Sequence, residues 1–287
     1  MQKKERPLDR KSPDWIGIGI MVLILAVLGW LSVDAFYKAR AGRDLKDAIQ
    51  AENFVEVRRL LTKRRMNSAE VNNGLVQMVG QHAKHTQTQE ELDLATLLME
   101  HGADPEQSAT TDYSGQTAFL LAIRLHDKPM LARLFKQHPK FNDSMNANSY
   151  LVETTIGSNP EILQLLIDHG ALKQVQAQKE GGQNLLRIAI MRNSDVVTKM
   201  LLEHGVSPEI KINDDPALCT ALSMHFWKTA RELIVHGARV NVVGAKHRTP
   251  LSIATQLKNK EMIDLLKAHG AVDKKSTNGK VKIDGIK

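Results

Sequence analysis

The apolar positions of residues 248–273, RTPLSIATQLKNKEMIDLLKAHGAVD, fall at helical spacing twice over. Leu251, Ala254 and Leu257 stand three apart and share one helix face. After a polar break, Met262, Ile263, Leu265 and Leu266 form a second apolar stripe. Pro250 lacks an amide donor and suits a first helical turn, with Thr249 placed to cap it. Gly270 stands where a left-handed residue ends a helix at little steric cost. The pattern predicts a short helix, a turn and a second short helix. Two helices of this size enclose no core, so each unit must stack on copies of itself.

The copies are present. His-Gly pairs recur at His101-Gly102, His169-Gly170, His204-Gly205, His236-Gly237 and His269-Gly270, with intervals of 68, 35, 32 and 33 between the glycines. The first interval is twice 34, and Gln137-His138-Pro139 falls near its midpoint. The Thr249-Pro250-Leu251 opening with Ala254, and the Gly102-Ala103-Asp104 ending, resemble the ankyrin repeat. A period of about 33 residues agrees with that resemblance. It implies an all-α solenoid of about seven helix-turn-helix repeats over residues 44–273. It also implies a groove of hairpin tips and first helices that receives a protein partner.

The units are expected at Asp44–Met66, Val71–Pro105, Gly115–Pro139, Ser149–Leu172, Gly182–Pro208, Asp215–Asn241 and Lys246–Asp273. The first is short and charged, as an end cap should be. The second carries an unusual polar bridge, with His82–Gln89 as an irregular loop between its helices. Hairpin tips are expected near Asp112–Ser114, Gln178–Gly181, Ile212–Asp215 and Ala245–Arg248.

Ahead of the repeats, residues 1–14 form a basic polar tail, and Trp15–Val33 is a run of 19 residues without a charge. As a helix rising ~1.5 Å per residue it would be about 28 Å long, close to a ~30 Å hydrocarbon core. Trp15, Trp30, Phe36 and Tyr37 mark its ends as interfacial aromatics do, so residues 15–37 are assigned as a transmembrane helix. A cleaved signal peptide is the rival, since Ala39-Arg40-Ala41 has a small-x-small pattern. The length of the run and the intervening Asp34, Tyr37 and Lys38 favour an uncleaved single-pass anchor. The basic tail leans toward the cytoplasm and puts the large domain on the other side of the membrane, periplasmic if the source is bacterial. Residues 274–287 read as a basic, solvated tail.

Charge changes the picture less than the total of +7 suggests. Residues 44–273 hold 26 Lys or Arg against 27 Asp or Glu, so the basic excess lies in the ends. That argues against nucleic acid as a partner. Cys219 has no second cysteine to pair with and reads as a small buried hydrophobe. The five histidines of the His-Gly pairs lie a repeat apart, and His82 and His85 lack an obvious third ligand, so no metal or cofactor is implied. No Gly-x-Ser-x-Gly, His-Glu-x-x-His or phosphate loop occurs, and the chain is read as a non-enzyme. The candidates for partner contact are Tyr113, Asp214, Asp215, His247 and Arg248 at the tips, with Phe226 and Trp227 at a turn between helices. The expected function is a membrane-anchored, protein-binding adaptor. An inhibitor or immunity protein acting on a membrane-directed toxin or enzyme is the alternative, and an enzyme with an unrecognised site is the third.

Overall fold

The computed structural model describes residues 44–272, apart from 64–65, 82–87, 111–112, 114, 142–143 and 178–179. Seven helical pairs follow one another. They are α1 (residues 44–50) with α2 (Phe54–Lys63), α3 (Ser68–Gln81) with α4 (Gln89–Glu100), and α5 (Ala118–Arg124) with α6 (Lys128–Gln137). Then come α7 (Ser144–Ile156) with α8 (Pro160–Asp168), and α10 (Gly181–Met191) with α11 (Asp195–Glu203). The last are α12 (Ala217–Ser223) with α13 (Trp227–Val235), and α14 (Pro250–Gln256) with α15 (Lys260–Ala268). First helices pack in one row, α3–α5–α7–α10–α12–α14, and second helices in another. The span proposed for Trp15–Val33, the tail 274–287 and most of the His82–Gln89 bridge lie outside the described residues. Among the described residues no helix is long and apolar enough to cross a membrane.

The repeating sequence signals work as local switches. Thr249 caps α14 through a reciprocal box: Ser252 N donates to Thr249 Oγ1 at 3.2 Å, and Thr249 N to Ser252 Oγ at 2.9 Å. Asp127, Asn159 and Asn259 cap second helices by accepting from Met130, Ile162 and Met262 amides. His101, His169, His204, His236 and His269 are all C-caps, each followed by a left-handed glycine. His204 Nδ1 and His236 Nδ1 lie 2.8 Å from the carbonyls of Met200 and Glu232, which ties the ring to its own last turn. Leu251 and Ala254 are buried as expected, with Met262 and Leu266 facing them from α15.

The tip expected at Ile212–Asp215 is present as a short hairpin, Lys211–Ile212 (β1) pairing antiparallel with Asp215–Pro216 (β2), and two other expectations need correcting. The Asn213-Asp214 turn has positive φ at both residues, a combination that short Asn/Asp sequences supply. The tip expected at Gln178–Gly181 is preceded by a helix, α9 (Ala171–Gln176), whose Ala171, Leu172 and Val175 are buried. Three apolar residues with helical spacing, and no Pro, Asp or Asn to make a hairpin, favour that outcome. Finally, α7 begins at Ser144 rather than Ser149, because Ala147 also faces the core.

The third repeat closes differently from its neighbours. His138 ends α6 with φ −129°, and Pro139 stands where the five His-Gly repeats carry glycine. An aromatic cluster fills this seam. Phe119 lies 4.8, 5.5 and 5.8 Å from the rings of Phe135, Phe141 and Tyr150, and the His169 imidazole stacks on Phe135 at 3.8 Å. Tyr150 OH and Thr117 Oγ1, 2.8 Å apart, satisfy each other beneath it.

Candidate partner-binding face

The first helices α1, α5, α7, α10, α12 and α14 each end two residues before a residue of positive φ: Glu52, His126, Ser158, Asn193, His225 and Lys258. These mark structurally equivalent positions. Two residues earlier, repeats three to seven present Arg124, Ile156, Met191, Ser223 and Gln256. That position looks toward the loop tips. Arg124 Nη1 donates to Gln116 Oε1 at 2.7 Å, and its guanidinium holds Glu153 of the next first helix at 3.0 and 3.2 Å. Arg187, one turn before Met191, reaches Lys211 O at the β1–β2 tip at 3.4 Å. Arg248 Nη2 donates to Ser223 Oγ at 3.4 Å, while its Nε is buried without a partner.

Along this face, large apolar side chains stay in water. Ile156 is 40% exposed, Met191 44% and the neighbouring Met224 42%. Ile156 also borders a cavity of about 280 Å³ between the turns of repeats three and four. Ile123 and Ile162 supply its apolar wall, Arg124, Glu153 and His126 its polar one. A second, more polar hollow of about 430 Å³ lies between α9 and the loop after α11, bordered by Gln176, Glu180, Gln183, His204 and Ser207. Among the described residues no group of three His, Cys, Asp or Glu side chains could hold a metal ion.

The residues singled out by sequence divide into two sets. Asp214 and His247 are exposed at neighbouring tips, and Asp215 Oδ1 accepts from the Ala245 amide at 2.8 Å, tying those tips together. Arg248 belongs to the same pair of tips. Tyr113, Phe226 and Trp227 are half-buried and pack on the core. The Tyr113 ring covers Gly80 so closely that a Cβ there would come within 2.5 Å of Cζ. Phe226 occupies the cap position of α13 that Asp127, Asn159 and Asn259 fill in α6, α8 and α15, and the Trp227 ring lies 5.2 Å from that of His225. Cys219 is buried beneath the tips. Burial, reinforced by the Asp215 charge and opposed by Arg248, pushes its thiol up to about 12. The sequence reading missed Ile156, Met191 and Met224. Each looks like an ordinary apolar helix position, and the signal available was their recurrence at the end of successive first helices.

No protein-family model matches the sequence. A protein of Treponema pallidum (strain Nichols) described as ankyrin repeat-containing is 25% identical over 147 residues, 46% of this chain and 48% of that protein. The chain thus spans about half the length of the curated relative it matches. Among solved structures, the ankyrin repeat domain of Bcl-3, an IkappaB family member, superposes with a TM-score of 0.56 at 22% identity, covering 78% of this chain and 97% of that one. The human ASB11 ankyrin repeat domain gives 0.51 at 16% identity, covering 80% and 98%. The fold is an ankyrin-repeat solenoid.

Proposed function

We propose that this chain is a protein-binding adaptor, anchored in a membrane by Trp15–Val33, whose partner lies across the stripe Arg124–Ile156–Met191 and the adjoining tips at Asp214, Asp215, His247 and Arg248. The observation that carries the reading is the alignment of exposed apolar side chains on successive first helices, beside arginines engaged only by long or surface hydrogen bonds. A side chain left half in water in an otherwise well-filled stack costs hydrophobic stabilisation that a partner restores. The basic N-terminal tail supports a repeat domain on the non-cytoplasmic side. An anchor adds affinity by confining the chain near membrane partners, without any new contact.

Photo-crosslinking of the full-length chain in its native membrane tests this. A crosslinker at position 191 yields a discrete adduct, and the same group at Val235, exposed on the second-helix side, does not. With the crosslinker kept at position 191, Ile156→Asp with Met224→Asp abolishes the adduct while the melting temperature holds. Equal crosslinking from position 235, or an adduct that survives the double substitution, rules the face out.

A further inference from the structure

We infer that the outward face of α2 docks on an anionic phospholipid surface, so that the first repeat is clamped to the bilayer that the anchor enters. This rests on reading Trp15–Val33 as a span. On α2, Val55, Arg58, Arg59, Thr62 and Lys63 follow i, i+3, i+4, i+7, i+8 spacing, and all are exposed. Val57, Leu60 and Leu61 lie on the other side, buried, where α2 meets α4. Val55 is 77% exposed, the most exposed large hydrophobic side chain among the described residues.

Charge gives the face its direction. Arg59 is held by Glu56 within the helix, and among the described residues no carboxylate lies in hydrogen-bonding reach of Arg58 or Lys63. Second helices farther along mix their signs: α11 exposes Lys199 beside Glu203, and α15 exposes Lys260, Glu261, Asp264 and Lys267. The outward face of α2 is predominantly basic, and its repeat is the one next to the apolar stretch. Ten residues separate Val33 from the helix at 44. Fully extended at ~3.5 Å each they reach no more than about 35 Å, so the first repeat stays close to the headgroups. An exposed valine among basic side chains suits an interfacial layer. Each cation near an anionic surface favours the docked state about fivefold.

The test uses the full chain in nanodiscs of phosphatidylcholine, with and without phosphatidylglycerol, carrying a headgroup-linked quencher. A fluorophore is placed by Val55→Cys or, as the far-end control, Asp264→Cys; buried Cys219 stays unlabelled. Quenching at position 55 is expected to be strong only in the anionic discs and to be released by high salt in the unaltered charge background. Arg58→Gln with Lys63→Gln lowers the ratio of docked to free chain roughly 25-fold, and position 264 stays unquenched. If position 55 is quenched equally in both disc types, or salt releases nothing, the docking surface is wrong while an incorporated chain leaves the anchor intact. A chain that does not enter discs at all overturns the anchor, and this inference with it.

Discussion

At the scale of single residues, several positions are held by geometry that substitution would expose. Gly80 gives way to the Tyr113 ring, so Gly80→Ala should lower stability by about 1–3 kcal/mol, measured by urea unfolding, through overpacking. An unchanged midpoint would mean that the ring moves aside freely. Tyr113 thus serves packing whatever its part in partner contact. Cys219 makes a second case. With its thiol pushed up to about 12 from an ordinary 9.0, the folded chain keeps the proton that the unfolded chain releases. Stability should therefore fall as pH rises from about 9 toward 12, since the unfolded state binds fewer protons in that window. At pH 8 a thiol reagent should leave the native protein unmodified and react fully in urea. Rapid native labelling would contradict the burial.

At the scale of elements, the stack is a chain of near-neighbour interfaces, and its stability is a sum of repeat and interface terms. The interface between repeats three and four is unlike the rest. The left-handed glycine is missing, an aromatic cluster fills the seam, and Lys128 of α6 pairs with Glu161 of α8 across it. Phe119 touches three rings of that cluster and is fully buried. Phe119→Ala should cost about 3–5 kcal/mol. Because the loss falls on one interface, urea unfolding followed by helical signal should separate into two transitions. A single transition at the original midpoint would show that the seam carries no special share of the coupling. The short helix α9 belongs to the same region, packing on α7.

At the scale of the whole molecule, the repeats form a body whose charge is nearly balanced, between two basic ends. Deleting residues 1–37 should yield a helical body that stays in solution without detergent. Aggregation with loss of helical circular dichroism would move the boundary or remove the anchor. The row of Ile156, Met191 and Met224 gives this body a direction, because it lies at the ends of successive first helices. An adaptor needs such an asymmetry: one side for its partner and one for solvent.

The repeat period, the seven helical pairs, the histidine caps and the buried Leu251–Ala254 pattern were legible from the sequence. They depend on interactions within about one helical turn, or on a spacing copied from unit to unit. The helix α9, the earlier start of α7 and the aromatic seam were not. Each depends on what the adjacent repeat leaves unfilled, and that is a property of the stack. The same holds for the candidate face. A methionine at a helix end is written identically whether a neighbour buries it or water touches it, and only the packed row of helices decides which.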